Sequence, residues 1–371
     1  MKKLLDVKAG SFAHGSLAAF LIGALALAGC SGHGETETVS TDESSLNSNA
    51  CSPTYYRSTR TIETYALPNA GEAPFVDAID SATSKIRVFI YQMGTGGIFD
   101  ALKRQAANGI QIQMILDEGQ KSNNQRFAKA LEDLGAEILW SDPQFQYMHA
   151  KVLIIDDASS VISTGNYGRY YMSIERNFAV RDDDADDVAD LVELFEADWN
   201  HRAPKLSCTR LVVSPINARK SLLDLIRSAK SEILIESMQF SDSGVQDAVE
   251  ERVRAGVSVK ALLANPGWIS ANTRAAASLL AAGAAPNASV KSASSSSASS
   301  VAPGTTEARY DGSIHTKMIM VDGKSVYIGS TNLSRTSIDD NREVGLVLSD
   351  SSSVKTVRAT FDADWKTATA F

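Results

Sequence analysis

The chain has 371 residues, a hydrophobic content of 44% and a formal net charge of −8. These values fit a globular protein with a sizeable core, built as two domains or as a pair of related halves, and exclude a disordered or fibrous chain. The first 29 residues carry Lys2, Lys3, Lys8 and Asp6, so the remainder stands at −10; that balance argues against a protein that coats nucleic acid, which relies on Lys and Arg to neutralise phosphates.

Lys2 and Lys3 precede an apolar run from Leu17 to Ala28, the pattern of an export signal and too short for a membrane-spanning helix. The run ends Leu27-Ala28-Gly29-Cys30, which resembles a bacterial lipobox. The resemblance implies a signal peptide over 1–29 and a lipid anchor on Cys30. It also implies a place in the bacterial cell envelope, on the periplasmic face or outer membrane, without a spanning helix. An ordinary export signal with an incidental cysteine is the alternative. Residues 30–54 read as a flexible tether rich in Ser and Thr. Cys51 and Cys208 then remain as an even pair, for which a disulfide is expected in an oxidising compartment and two free thiols are the alternative.

From residue 55 the pattern alternates. Ile86–Tyr91 reads as a buried strand, Phe99–Asn108 as a helix ended by Gly109, Ile110–Leu116 as a strand, and Phe127–Leu134 as a helix stopped by Gly135. Ile233–Met238, Val245–Ala255, Gly256 and Val257–Leu263 repeat that order 147 residues on. Strand and helix alternation predicts an α/β fold of two pseudo-symmetric halves, 55–205 and 206–371, each a mainly parallel mixed sheet flanked by helices. Lys151–Asp156 and Lys317–Asp322 each read as the first strand of a hairpin, and Asp187–Trp199 and Ser352–Trp365 as closing amphipathic helices. In this second part of each half the offset is 166, so 19 extra residues must precede His315. A Ser/Ala-rich insert over 284–308, too small-sided to pack a core, accounts for them. The acidic run Asp182–Asp187 lacks the glycine and terminal Glu of a calcium loop and reads as a solvated turn.

The chemistry resides in the longer repeat. His149 and His315, Lys151 and Lys317, Asp156 and Asp322, and Asn166 and Asn332 are all 166 apart. In a strand, His and the Lys two residues on share a face and can address one pocket. Two imidazoles, two ammonium groups and two amides suit the holding and cleavage of a phosphate ester. His201, after the first closing helix, reads as structural.

On these residues the chain resembles the phospholipase D superfamily, whose motif is H-x-K-x4-D followed by x6-G-S-x-N. The second copy matches it throughout with His315, Lys317, Asp322, Gly329, Ser330 and Asn332, whereas the first has Ser163 and Thr164 where the motif has Gly and Ser. The resemblance implies an active site at the interface of the halves, complete within one chain. By this analogy His149 is the nucleophile that forms a phosphohistidine, and His315 the general acid and base. Lys151, Lys317, Asn166 and Asn332, with the Thr164 and Ser330 hydroxyls, would hold the phosphate oxygens, with no cofactor or metal. Asp156 and Asp322 would brace their hairpins. Glu343 in Asn341-Arg342-Glu343 fits a carboxylate that orients a catalytic His, and Asn177 is its counterpart in the first half. Whether Glu343 serves His315 or His149 is open at this level. An amide cannot stabilise an imidazolium as a carboxylate does, so the two histidines should differ in basicity. The expected function is hydrolysis of phospholipid head groups at a membrane surface, with transfer to other alcohols as an extension. A nuclease and a cardiolipin-synthase-like transferase are the alternatives, and nucleic acid is not an expected partner.

Overall fold

The structure, a computed structural model, describes residues 62–206, 208–284 and 304–371. The expected signal peptide, Cys30, the tether, Cys51 and residues 285–303 of the insert lie outside these. Cys208 is disulfide-bonded.

In the first half, Ile62–Leu67 (β1), Lys85–Ile90 (β2), Gln111–Leu116 (β3), Glu137–Trp140 (β4), Lys151–Ile155 (β5), Ser159–Ser163 (β6) and Asn177–Asp182 (β7) form a sheet in the order β1-β7-β6-β5-β2-β3-β4. Its helices are Ala73–Asp80 (α1), Gly97–Ala107 (α2), Lys121–Glu132 (α3), Arg169–Ile174 (α4) and Ala185–Trp199 (α5). The second half adds strands Leu211–Ser214 (β8), Glu232–Ser237 (β9), Ser258–Ala264 (β10), Thr306–Asp311 (β11), Lys317–Val321 (β12), Ser325–Gly329 (β13), Glu343–Leu348 (β14) and Thr369–Ala370 (β15), in the order β15-β11-β10-β9-β12-β13-β14-β8. Helices Ala218–Arg227 (α6), Ser243–Arg254 (α7), Ala271–Ala284 (α8) and Ser351–Thr367 (α9) accompany it, with a π-helical turn at Thr336–Asp340.

The architecture is the expected pair of α/β halves, with two differences. Parallel pairing is confined to β2-β3-β4 and β9-β10-β11, and the motif hairpins and their neighbours pair antiparallel, so antiparallel contacts outnumber parallel ones in both sheets. A short hairpin turn can only reverse the chain, so each motif brings antiparallel pairing with it. The insert also ends earlier than expected. Thr306–Ala308 already belong to β11, where Ala308 is buried and the strand pairs with the edge of β10.

The apolar periodicity sorts the side chains into three cores. The inner faces of both sheets, together with α5 and α9, share one. The outer face of the first sheet packs on α1, α2 and α3, and that of the second on α6, α7 and α8. Phe195 stacks on Trp199 and Phe361 on Trp365 at centroid distances of 5.5 and 5.6 Å, which places Trp365 in the shared core and packs the partly buried Trp199 against it.

Each motif hairpin is tied at its turn. Asp156 and Asp157 have φ of 51° and 55°, and Asp322 and Gly323 have 53° and 60°; each left-handed pair is the centre of a β-turn, closed by the Ala158 amide on the Ile155 carbonyl and the Lys324 amide on the Val321 carbonyl, within a three-residue hairpin loop. The Asp156 carboxylate accepts hydrogen bonds from the backbone and hydroxyls of Thr83 and Ser84 and from the Lys85 amide. Asp322 does the same for Lys230, Ser231 and Glu232. The acidic run is not a solvated turn. Asp182 and Asp187 are buried, Asp184 caps α5, and Arg210 pairs with Asp184 and Asp187.

The halves are locked by reciprocal ion pairs. Arg342 pairs with Asp198 at 2.7 Å, both side chains 4% exposed, and Arg176 pairs with Asp364 at 2.5 Å. Each pair joins residues of opposite halves. Arg342→Ala should cost about 3–5 kcal/mol in urea unfolding, because it leaves Asp198 buried and uncompensated. The double change Arg342→Met with Asp198→Leu should cost clearly less; a double variant no milder than the single would show that the charge is not the cause.

Candidate active site

The same clamp brings the two motifs together. The His149 amide donates to the Arg342 carbonyl at 2.9 Å, and the His315 amide to the Arg176 carbonyl at 3.1 Å. Each motif histidine is therefore held by the Arg that stands beside the other half's orienting residue. Glu343 reaches across the interface to His149, with its two oxygens 3.0 and 2.9 Å from Nδ1. Asn177 crosses in the other direction, and its Oδ1 lies 3.2 Å from His315 Nδ1.

Glu343 is fully buried and also accepts from Ser337 Oγ at 2.7 Å and Asn341 Nδ2 at 2.9 Å. The π-helical turn delivers Ser337 to it. Burial alone would raise this carboxyl, but His149, Lys151 and Asn341 outweigh burial and hold it below its ordinary value. An ionised Glu343 on Nδ1 fixes the His149 tautomer with the proton on that atom and leaves Nε2 with the lone pair.

Lys151 and Lys317 are both fully buried. Each donates to the backbone carbonyl of its own motif histidine, and Lys317 also reaches the Thr164 carbonyl of the other half at 3.2 Å. Burial pulls Lys151 well below its usual value and brings Lys317 down to about 7 against the pull of Glu175 and Glu343. Burial likewise lowers His149 to about 4, although Glu343 acts in the opposite direction. His315 lies well below its ordinary value through burial and the nearby Lys317 and Lys151. Burial thus disfavours the charged form of both imidazoles and both lysine side chains, a penalty that a nearby anion would offset.

Asn166 and Asn332 are buried, and the Oδ1 atom of each lacks a partner among the described residues. Thr164 and Ser330, expected to contact phosphate, hold hydrogen bonds to the protein here. Thr164 Oγ1 donates to Asn177 Oδ1 at 2.7 Å and accepts from the Phe178 amide, while Ser330 Oγ bonds both polar backbone groups of Val344. The two hydroxyls pin their loops to the neighbouring strand. Gly329 is required by close approach, since a Cβ there would lie 2.4 Å from Gly345 Cα and 2.5 Å from the Tyr327 hydroxyl. Ser163 fits the equivalent place because it faces Ala179 and residue 161 is Val.

Sequence reasoning missed several neighbours. Tyr91 packs edge-on against His149 at 4.7 Å and receives the Lys151 ammonium over its ring at 5.2 Å. Asp117, buried at the end of β3, accepts from the Met148 amide at 2.7 Å and so fixes the approach to His149. Glu175 stands 3.4 Å from His315 Nδ1, behind Asn177. Trp268, half exposed, stacks parallel to the His315 ring at 6.3 Å. Glu175 had a signal, because it adjoins the Arg176-Asn177 pair that repeats at 342–343; Tyr91, Asp117 and Trp268 have no repeated counterpart. His201 lies outside the site, paired with Asp142 at 2.9 Å.

A cavity of about 430 Å³ opens beside His149 and Asn332, lined also by Tyr91, Tyr147 and Arg335 among others. Two crossed half-sites, each completed by a residue of the other half, define the pseudo-symmetric site. Residues 75–199 and 222–365 match the family described as cardiolipin synthase, PLD-like domain, and the chain belongs to that family, within the phospholipase D superfamily. The chain is 23% identical over 346 residues to cardiolipin synthase 1 of Bacillus anthracis, covering 79% of this chain and 64% of that protein. It is 26% identical over 213 residues to polyphosphate kinase 1 of Chlorobaculum tepidum, covering 50% of this chain and 30% of that one. The chain therefore spans less than two thirds of the length of these relatives. The fold is shared with phosphatidylserine synthase of Haemophilus influenzae, at a TM-score of 0.62 and 13% identity over 84% of this chain and 88% of that one. No helix of the described residues is long and apolar enough to cross a membrane.

Because only His149 has a buried carboxylate bonded to its ring, the two titrations can be separated. Glu343→Gln should lower the His149 pKa further, and Asn177→Asp should raise that of His315, each read by ring-nitrogen NMR. A Glu343→Gln variant that moves His315 instead would contradict the crossed assignment.

Proposed function

We propose that the chain is a phosphatidyltransferase that exchanges the alcohol of a phospholipid phosphodiester, with water as a competing acceptor. The observation that carries this is the hydrogen bond that His149 Nδ1 donates to the Glu343 carboxylate, which leaves Nε2 as the nucleophile. In the first step Nε2 bonds to phosphorus, the P–O bond to the alcohol breaks, and His315 gives that oxygen its proton. In the second step His315 takes the proton of the incoming hydroxyl, whose oxygen bonds to phosphorus while the P–N bond breaks. Lys151, Lys317, Asn166 and Asn332 hold the non-bridging oxygens throughout, where their charge and dipoles count most in a site shielded from water. The charge brought by the substrate raises the lowered histidines, so that His315 gains its proton when it is needed.

Transfer takes precedence over simple hydrolysis because the matched family and several relatives are named for cardiolipin synthesis. A membrane surface as partner, with the anchor on Cys30, fits this substrate, as does half-exposed Trp268 beside the site.

The test is incubation of the full chain with phosphatidylglycerol vesicles. Transfer predicts a lipid product carrying two phosphates, together with free glycerol, and none from His149→Ala. Phosphatidic acid as the sole product would establish hydrolysis and remove the transferase reading. The free enzyme should also lose activity on the alkaline side. As pH rises through about 7, Lys317 loses its proton, and kcat/KM should fall with it; a profile flat to pH 9 would contradict that role.

A further inference from the structure

Among the described residues the large apolar side chains left exposed are Leu134, Tyr170, Ile174, Ile216 and Trp268. Three of them flank His315. Trp268 stacks on its ring at 6.3 Å. Tyr170 and Ile174 lie four residues apart on one face of α4, and Ile174 precedes Glu175, whose carboxylate stands 3.4 Å from His315 Nδ1.

The His149 side is built otherwise. Thr336 and Asp340 hold the places 166 residues after Tyr170 and Ile174. Thr336 lines the cavity beside His149, and the Asp340 carbonyl accepts from the Gln146 amide just upstream of it. The match for Trp268 is fixed by two asparagines. Asn124 bonds the Met93 amide and the Tyr91 carbonyl, and Asn272 bonds the Phe240 amide and the Met238 carbonyl in the same way. Four residues before Asn272 stands Trp268; four before Asn124 stands Gln120, which donates to the Tyr91 hydroxyl against His149. At all three places an apolar side chain beside His315 answers a polar one beside His149. Packing does not account for this, because Tyr170, Ile174 and Trp268 are 64%, 53% and 51% exposed.

Cations stand among them. Arg169 adjoins Tyr170, is 76% exposed and meets Glu72 only at 3.9 Å. Arg126 shares a cavity with Tyr170 and Tyr171 and has no carboxylate partner among the described residues. Clustered exposed apolar groups mark an interaction surface, Trp and Tyr settle at the head-group level of a bilayer, and Arg is drawn to anionic lipid. We infer that the face around His315 is the surface by which the chain docks on an anionic phospholipid bilayer, with Tyr170, Ile174 and Trp268 in the head-group layer. This rests on the proposed function for its substrate, and adds which side of the site meets the lipid: the side on which His315 exchanges the proton of the alcohol.

The test uses the full chain with vesicles of equal parts phosphatidylglycerol and phosphatidylcholine, the latter brominated to quench tryptophan. Trp140, Trp199 and Trp365 are less exposed than Trp268, so quenching reports which face lies in the lipid, whatever else tethers the chain. Wild type and Leu134→Ser should be quenched alike, whereas Trp268→Phe and the double variant Tyr170→Ser with Ile174→Ser should lose most of the effect. The double variant should also transfer from vesicles about tenfold or more slowly, yet stay within about twofold of wild type on dissolved dihexanoyl phosphatidylglycerol. Quenching of Trp268→Phe or of the double variant equal to wild type would overturn the inference. An equal loss on dissolved and vesicle substrate would overturn it too, by showing damage to the site itself. Absence of quenching, with a dimer in sedimentation that the double variant breaks, would assign the face to a second copy and overturn it likewise. The expected quenching pattern without transfer from either substrate would uphold the docking face and remove the proposed function alone.

Discussion

The site depends on an exchange between halves. Arg342 crosses to Asp198 and Arg176 to Asp364, and the backbone carbonyls of the same two arginines receive the amides of His149 and His315. A buried ion pair adds little net stability, because desolvation offsets most of the attraction, but a wrong pairing would leave charges stranded. Its contribution is register. Two flat inner faces of Val, Ile, Leu and Met could slide on each other; two crossed ion pairs admit one alignment, and that alignment places Glu343 on His149.

Electrostatics follow from the alignment. Four basic side chains meet in a buried space with one buried, hydrogen-bonded carboxylate partner on an imidazole, Glu343, supported by Ser337 and Asn341. Water is a poor competitor there, so the lysines and histidines carry a desolvation cost that the proposed phosphate substrate would offset. The asymmetry between the halves gives the histidines different tasks. His149 keeps its Nδ1 proton on a carboxylate, whereas His315 has an amide at the same atom and a carboxylate only behind it. Burial gives the same sense to both shifts, and the partner sets the difference.

Much of this was legible in the chain. The 166-residue offset exposed His, Lys, Asp and Asn at matching places, and the Asp-Gly turn with its flanking apolar strands predicted the hairpins. What periodicity could not show was direction across space. Arg176 and Arg342, and Asp198 and Asp364, share the same offset, yet a repeat cannot say that each partner lies in the opposite half. Nor does it show that the Thr164 and Ser330 hydroxyls turn into their own sheet, which depends on where the β7 and β14 backbone lies. Helices α1, α6 and α8 went unread because they lack the strong glycine stops that marked α2 and α7, where Gly109 and Gly256 adopt positive φ. The sheets read as parallel because the strand and helix alternation of their first strands was extended to the motif hairpins.

The claim that His149 is the nucleophile of a site shared by two halves is tested most directly by trapping the intermediate. A p-nitrophenyl phosphodiester needs no proton for its leaving group, so His315→Ala should still release one equivalent of p-nitrophenol and then stop. Digestion at alkaline pH and mass spectrometry should find the phosphoryl group on the peptide containing His149. An adduct on His315 in wild type, or continued turnover of this substrate by both His149→Ala and His315→Ala, would contradict the account.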